Sequence, residues 1–212
     1  MHNYNDDCWL AWFDQLADEE YVVINNFLPA SLYAEIREFF LHHLQIDDFS
    51  KAGIGSSGNR IVATSIRGDY VYWLDEQRDT QLAGFFQLLN DLRDRLNRFC
   101  YLSLSGFEFH LAHYPAGSYY HKHLDQFKER NNRMISVIIY LNEYWQPEDA
   151  GELKIYHSSG REVILSPLAN RCVMFRSNLL EHEVLLTNAS RYSLTGWLLY
   201  QPPVVASILH QY

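Results

Sequence analysis

The sequence has only three cysteines, Cys8, Cys100 and Cys172, and they lie far apart along the chain. No two of them form a CxxC pair, and an odd number cannot close completely into disulfides. This pattern excludes a disulfide framework and favours a protein of the reducing cytosol. Internal repeats and low-complexity tracts are absent as well.

Positive charge and long apolar runs are also scarce. The chain carries 17 Lys and Arg against 26 Asp and Glu, a net charge of −9, whereas phosphate binding needs a basic face. No window reaches the roughly 18 apolar residues of a membrane span. The first residues, "MHNYNDDCWLAWF", lack the basic start of a signal peptide. We therefore expect a cytoplasmic protein with neither a nucleic-acid nor a membrane partner.

What the sequence does contain is ordinary for a globular protein with a sizeable core. Apolar residues make up 48% of the chain and charged residues 20%. We predict a single domain over residues 1–212, with helical support and a mobile loop in residues 1–100. Residues 101–201 then form a β-sheet core.

The first half shows the periodicity of amphipathic helices. Apolar stripes predict helices from about Asp7 to Ala17, over "LYAEIREFFLHHL" with Ser31 as its N-cap, and from about Thr80 to Phe99. Between the second and third helices, "SKAGIGSSGNR" is rich in glycine and serine, which predicts the mobile loop.

From Gly106 onward short strands follow one another at intervals of about ten residues. Turn residues separate them, as in "PAGS", "QPEDAG" and "TNAS". The predicted strands are "FEFHLAHY", "YYHKH", "MISVIIYLN", "GELKIYH", "EVILS", "RCVMF", "HEVLLT" and "RYSLTGWLLY". This pattern is typical of an antiparallel sandwich or barrel. We expect a mainly β fold with flanking helices, in which N-terminal α-helices support a double-stranded β-helix (jelly-roll) core.

The stretch "YYHKHLD" contains a candidate metal site. His123 and Asp125 are two residues apart, so both reach one ion from a strand end, but His121 shares their parity. A second imidazole has to come from a distant strand, and His182 at the start of "HEVLLT" is the best candidate. Two histidines and one carboxylate suit Fe(II) with open coordination positions. The competing histidines are His110, His113 and His157.

Arg191 opens the strand "RYSLTGW", nine residues after His182. An arginine that enters an apolar strand is costly unless it meets an anion, and guanidinium pairs with carboxylate through two hydrogen bonds. The alternative is an arginine at the rim of the sheet, paired with Glu183 or Asp149. The combination of an HxD motif, a distant histidine and an arginine nine residues later is a far more specific signal than any of these features alone.

Taken together, these segments resemble the Fe(II)- and 2-oxoglutarate-dependent dioxygenases, and among them the prolyl 4-hydroxylase group that includes the oxygen-sensing enzymes and their compact bacterial relatives. The resemblance runs from about Ala63 to Tyr200. Its segments are "SIRGDYVYW", "HYPAGSYYHKHLD", "VIIYLNEYW", "AGELKIY" and "HEV" followed by "RYSLTGW". It implies hydroxylation that consumes O₂ and 2-oxoglutarate and releases succinate and CO₂, with Fe(II) as cofactor and ascorbate as a further candidate.

The resemblance also implies roles for individual residues. His123, Asp125 and His182 hold the iron, and Arg191 holds the distal carboxylate of 2-oxoglutarate with help from the Tyr140 hydroxyl. Further residues line the cosubstrate pocket: Thr195 and Tyr114. Others border the substrate and its loop, about Phe49 to Ala63: Arg67, Asp69, Tyr120 and Trp197. An apolar ring is expected to exclude water: Val137, Ile139, Val173, Phe175, Leu194 and Trp197.

The substrate expected from the resemblance is a prolyl residue in a protein or peptide. The same chemistry on a free amino acid or another small molecule is the first alternative, and a non-catalytic jelly-roll binding module is the second. Two segments depart from the oxygen sensors at the substrate mouth. The turn "HYPAGSYY" is one residue shorter between Tyr114 and His123, and "QFKERNNR" differs.

Overall fold

The computed structural model describes residues 4–52, 66–126 and 132–200. Within these residues it contains three α-helices: α1 (Asp6–Glu19), α2 (Ala30–Gln45) and α3 (Ala83–Cys100). The strands, in chain order, are β1 (Tyr21–Ile24), β2 (Ser50–Lys51), β3 (Tyr70–Trp73), β4 (Leu104–Tyr114), β5 (Tyr120–His123), β6 (Arg133–Tyr140), β7 (Leu153–Tyr156), β8 (Glu162–Leu165), β9 (Cys172–Arg176), β10 (Glu181–Val184) and β11 (Arg191–Tyr200). Two 3-10 turns, Thr80–Leu82 and Pro147–Asp149, complete the described elements.

Helices α1 and α2 begin in different ways. The Asn5 side chain caps α1 by accepting a hydrogen bond from the Cys8 N–H at 3.0 Å. The prediction that Ser31 caps α2 is wrong, because Pro29 occupies the N-cap position and no side chain caps the helix. The helix begins at Ala30, directly after Pro29, so Ser31 lies inside the first turn and not at the cap position. α1 packs against β1, and α3 packs against β4.

The strands form two antiparallel sheets. The major sheet has the order β1-β9-β6-β11-β4-β3-β2, and the minor sheet has the order β5-β10-β7-β8. All eight predicted strands are present, so the jelly-roll fold class is confirmed. Three strands from the first half, β1, β2 and β3, extend the major sheet at both of its edges.

The alternation of side chains along β6 and β11 divides the interior into two parts. Every second residue packs with the helices in one large apolar cluster, among them Val137, Ile139 and Leu194. The residues between them point toward the space between the sheets, where Ile138 and Tyr140 pack with β7 and β9. That intersheet space contains the candidate site.

This alternation corrects part of the predicted apolar ring. Val173 and Phe175 do lie in the intersheet cluster. The prediction is wrong for Val137, Ile139 and Leu194, because these residues face the helices instead. The physical reason is the period of two in a strand, which turns adjacent residues to opposite faces.

Two expectations about the whole chain have different outcomes. In the described ranges no helix has the length and apolarity to cross a membrane. The single domain over residues 1–212, divided near residue 100, stays a prediction.

Candidate metal centre and anion pocket

Strands β5 and β10 are neighbours in the minor sheet, and their pairing brings two distant histidines together. His182 lies opposite His123 in the register of these strands, and Asp125 follows just beyond the end of β5. One ligand atom from each of the three residues lies within 4.8 Å of the other two. In the part of the chain that the structure describes, this is the only group of three or more such side chains. The competing histidines lie outside it: His110, His113 and His157.

Both imidazoles present the same nitrogen to the centre of the group. The Nδ1 atom of His123 lies 2.7 Å from the carbonyl of His121, and that of His182 lies 3.1 Å from the carbonyl of Leu180. A neutral ring that donates from Nδ1 keeps the lone pair on Nε2, and these Nε2 atoms lie 3.6 and 3.7 Å from the oxygens of Asp125. Burial lowers the pKa of His182 to about 4. Its ring is therefore neutral at neutral pH, as metal binding requires.

Asp125 is fixed by a pair of buried serines. Its Oδ2 accepts a hydrogen bond of 2.6 Å from the Ser136 hydroxyl, which lies 2.8 Å from the hydroxyl of Ser177. Burial would raise the pKa of Asp125, but the rings of His182 and His123 and the Ser136 hydroxyl outweigh burial and hold the pKa well below its usual range. Since the single proton of Ser136 goes to the carboxylate, Ser177 is the donor to Ser136.

Arg191 lies at the start of β11, and only 1% of its surface is exposed. Its Nε donates a hydrogen bond of 2.8 Å to the Gly151 carbonyl. The guanidinium carbon lies 5.1 Å from the ring centre of Tyr114 and 5.0 Å from that of Tyr140. The cation is thus held between two aromatic rings in the interior of the protein.

The carboxylates considered as partners of Arg191 bind elsewhere. Glu183 accepts a hydrogen bond of 2.5 Å from the Tyr156 hydroxyl, and Asp149 accepts one of 2.8 Å from the Gln146 N–H. No carboxylate of the described residues forms an ion pair with Arg191. An unpaired charge in a protein interior is costly, so this position calls for an anion.

A glycine lets the backbone approach Arg191 closely. Gly151 has a φ of +71°, and a Cβ at this position would lie 2.7 Å from the Cβ of Thr187 and 3.3 Å from the Cδ of Arg191. Both the left-handed backbone and the lack of space require glycine. The carbonyl that holds Arg191 therefore depends on the absence of a side chain at residue 151.

Tyr140 has a buried hydroxyl beside this guanidinium. The hydroxyl has no hydrogen-bond partner among the described residues, and burial raises the pKa of Tyr140, so the phenol stays protonated and can donate. Tyr114 is also buried, which raises its pKa. Thr195 lies on the same face of β11 as Arg191, and its hydroxyl lies 3.1 Å from that of Ser193. An unsatisfied donor beside an unpaired cation describes a pocket for a carboxylate.

Other predicted site residues surround the group of His123, Asp125 and His182. Tyr120 stacks on His123, with 3.7 Å between ring centres and 16° between planes, and the guanidinium carbon of Arg67 lies 4.3 Å from the Tyr120 ring centre. Trp197 is 7% exposed, and the guanidinium carbon of Arg133 lies 3.4 Å from its ring centre. Arg133 also donates to the Asp125 carbonyl at 3.3 Å.

Comparison with known proteins identifies the family. The model described as the 2OG-Fe(II) oxygenase superfamily matches residues 109–199. A crystal structure of a prolyl-4-hydroxylase from Pseudomonas putida has a TM-score of 0.82 and 34% sequence identity, covering 90% of this chain and 98% of that one. The chain belongs to the 2OG-Fe(II) oxygenase superfamily, in its prolyl hydroxylase group.

Two further solved structures resemble this chain. A prolyl hydroxylase from Trichoplax adhaerens, in complex with a peptide fragment of the hypoxia inducible factor oxygen degradation domain, has a TM-score of 0.80 and 26% identity, covering 93% of this chain and 94% of that one. A prolyl 4-hydroxylase from Phytophthora capsici has a TM-score of 0.73 and 23% identity, covering 95% and 68%; it supports the fold alone. The protein is an Fe(II)/2-oxoglutarate-dependent dioxygenase, which sets aside the non-catalytic binding module.

The residues present fit the iron and the 2-oxoglutarate that the family uses. Two imidazole Nε2 atoms and one carboxylate are the donor set of non-heme Fe(II) oxygenases. The unpaired guanidinium of Arg191 and the unsatisfied hydroxyl of Tyr140 suit one carboxylate of a dicarboxylic acid. The metal half of the fit rests on the convergence of the three ligand atoms, and the anion half rests on the buried Arg191 side chain and the Tyr140 hydroxyl, which has no hydrogen-bond partner among the described residues.

Sequence reasoning missed several residues around the metal group, chiefly Ser136, Ser177, Arg133 and its partner Glu108. Arg133 did carry a signal, since it is a charged residue at the start of the apolar run "MISVIIY". The predicted substrate loop, about Phe49 to Ala63, lies outside the described residues apart from 49–52, and so does most of "QFKERNNR".

Proposed function

We propose that this dioxygenase hydroxylates a prolyl residue in a protein or peptide. Fe(II) is held by His123, Asp125 and His182, and 2-oxoglutarate is held by Arg191. The observation that carries the proposal is the buried guanidinium of Arg191 without an anion, in a chain whose two histidines and aspartate converge. The group of protein ligands and the anion pocket both belong to the space between the two sheets.

The three ligands suit an iron that must stay open to other groups. They occupy three positions and leave the rest for cosubstrate and oxygen. When bound, the iron and the keto acid supply the oxidising chemistry, in which O₂ and 2-oxoglutarate yield succinate, CO₂ and a hydroxylated substrate. The share of the protein is to place and shield these groups. Asp125 is the only charged residue among the three, so it neutralises the metal only in part.

The anion pocket is preorganised for one end of the cosubstrate. Because the Nε of Arg191 is engaged by Gly151, its terminal NH₂ groups remain for a carboxylate. The Tyr140 hydroxyl donates to the same carboxylate, and Thr195 and Tyr114 line the pocket. Donors that are already fixed add affinity because binding costs little further conformational entropy.

An apolar lining separates these polar groups from water. The ring of Phe175 lies 4.6 Å from that of His182. Phe175 packs with Ile138, Tyr140 and Val173 in the intersheet cluster, whose members are at most 6% exposed. A dry wall strengthens the attraction between Arg191 and a bound carboxylate and limits side reactions.

Two relatives support the choice of a prolyl residue in a protein or peptide. The Pseudomonas putida prolyl-4-hydroxylase is 34% identical over nearly the whole of both chains, and the Trichoplax adhaerens enzyme was solved with a peptide fragment bound. Recognition of a peptide also agrees with the predicted substrate loop. The use of ascorbate and a cytoplasmic location stay predictions from the sequence.

The test supplies the purified protein with Fe(II), 2-oxoglutarate and a cell lysate, and mass spectrometry maps any gain of one oxygen atom. We expect the oxygen on prolyl residues of a small number of proteins, with the Asp125→Ala variant inactive and an Asp94→Ala variant fully active. Asp94 is a suitable control because its side chain is 65% exposed on α3.

The outcomes separate the parts of the proposal. Oxygen found only on a free amino acid, or on another residue type, would refute the prolyl substrate and leave the site intact. Succinate production at the normal rate by Asp125→Ala would refute the site itself.

A further inference from the structure

Tyr120 is packed between a proposed iron ligand and an arginine. Its ring lies 3.7 Å from that of His123 and nearly parallel to it. The guanidinium carbon of Arg67 lies 4.3 Å from the same tyrosine ring. Since the imidazole covers one face of the phenol ring, the guanidinium lies on the other. The three groups form a continuous stack, which we call the Arg67–Tyr120–His123 stack.

An irregularity in β5 makes this stack possible. Residues three apart in a regular strand point to opposite faces of the sheet. Here His182 pairs with His123 and Val184 pairs with Tyr120, so three steps along β5 match two along β10. The extra residue is a β-bulge, which turns Tyr120 and His123 to the same side.

The outer end of the stack is firmly held. Arg67 donates from Nε and Nη2 to the two oxygens of Asp69, at 2.6 and 2.5 Å. The Asp69 side chain is 0% exposed and that of Arg67 is 13% exposed. Because Asp69 neutralises the guanidinium, the stack adds no net positive charge near a bound cation.

The backbone ties the same segment to β5. Arg67 forms a β-bridge with Tyr120. The Gly68 N–H donates to the Tyr119 carbonyl at 3.0 Å, and the His121 N–H donates to the Ile66 carbonyl at 3.0 Å. This bridge and these two hydrogen bonds hold residues 66–68 beside β5, so the planar guanidinium has a fixed position above the phenol ring.

We propose that Tyr120 and Arg67 are positioning residues for the metal, acting through the plane of the His123 ring. The proposal rests on the assignment of His123 as an iron ligand. The carbonyl of His121 fixes one ring atom of His123, but rotation about that hydrogen bond would swing Nε2 away from the centre. The stacked phenol prevents this rotation and covers one face of the imidazole.

The chemistry of the stack suits a metal-bound imidazole. Coordination withdraws electrons from the ring, and an electron-poor ring stacks well on the electron-rich face of a phenol. The roles foreseen for Arg67 and Tyr120 at the substrate mouth thus extend to support of a ligand. Asp69 acts one step further out, since it orients Arg67.

The experiment measures Mn(II) affinity, because Mn(II) binds the same donor set and is stable in air. Removing the stack in Tyr120→Leu should raise the Mn(II) Kd about threefold to tenfold, whereas Tyr120→Phe, which keeps the ring, should stay within about twofold of wild type. Arg67→Met should raise the Kd about twofold to threefold alone, and add nothing in the Tyr120→Leu background. Tyr119→Leu removes a neighbouring aromatic ring that lies 4.6 Å from the ring of His121; it is the matched control and should bind normally.

The thermal midpoint of each metal-free variant shows whether it is folded. Normal Mn(II) binding by folded Tyr120→Leu would overturn the proposal, as would equal weakening in Tyr120→Phe. A further loss from Arg67→Met in the Tyr120→Leu background would overturn the route through Tyr120. His182→Ala is measured alongside: if it binds Mn(II) normally, the metal site itself is wrong, whereas its failure to bind together with normal Tyr120→Leu binding refutes the stack alone.

Discussion

Replacing Arg191 with methionine separates a cosubstrate clamp from a structural residue. The side chain is 1% exposed and lacks a carboxylate partner in the described residues. Methionine fills a similar volume without the charge. Loss of the Gly151 hydrogen bond and of the contacts with two tyrosine rings costs about 2 to 4 kcal/mol. Removal of an unpaired buried charge offsets several kcal/mol of that, so the metal-free variant should stay within about 2 kcal/mol of wild-type stability.

The effect on 2-oxoglutarate should be much larger than the effect on stability. Two charge-assisted hydrogen bonds contribute about 1.5 to 3 kcal/mol each, or about 3 to 6 kcal/mol together. Their loss corresponds to an increase of about a hundredfold to ten-thousandfold in the Kd for 2-oxoglutarate. The Arg191→Met variant should therefore be folded but almost unable to bind the cosubstrate.

Thermal unfolding with Mn(II) and increasing 2-oxoglutarate measures both effects. At a concentration of 100 Kd the ligand stabilises the wild type by about 2.7 kcal/mol, while the same concentration should stabilise Arg191→Met by about 0.4 kcal/mol or less. Arg176→Met removes an exposed arginine from β9 and should respond like wild type. A normal shift in Arg191→Met would refute the clamp. A loss of stability beyond about 4 kcal/mol would show that the guanidinium is structural.

Three further substitutions test the surroundings of the site. Ser136→Ala should raise the Kd for Mn(II) about tenfold to a hundredfold, because Asp125 loses its buried donor; unchanged affinity in equilibrium dialysis would contradict this. Tyr140→Phe should raise the KM for 2-oxoglutarate by about tenfold and leave kcat nearly unchanged, and a fall in kcat alone would argue against a binding role. Gly151→Ala should destabilise the protein by about 2 kcal/mol or more and raise the same KM; normal calorimetric stability would show that Thr187 and Arg191 can move aside.

The sequence predicted the strands well because each has turn residues at its ends. It could not show which face of β6 is buried in which cluster. The run "MISVIIY" is apolar at almost every position, so the sequence does not show which residues of the strand point to which face of the sheet. Val137 and Ile139 were therefore placed on the wrong side, while the neighbouring Ile138 and Tyr140 line the intersheet space.

The proposed metal ligands were easier to predict than the residues that support them. His182 and Arg191 stand out because a histidine and an arginine interrupt or open apolar strands. Ser136 is a small residue in such a strand, and its residue type does not indicate a role at the site. Only the structure shows that it donates a hydrogen bond to Asp125. The stack on His123 depends on a bulge in β5, and a bulge has no signature in residue type.

Metal stoichiometry tests the central claim most directly. Anaerobic titration with Fe(II) should show one ion per chain in the wild type and none at comparable affinity in His123→Ala, Asp125→Ala or His182→Ala. Retention of one tightly bound ion by any of these three variants, with its fold intact, would contradict the assignment of the site.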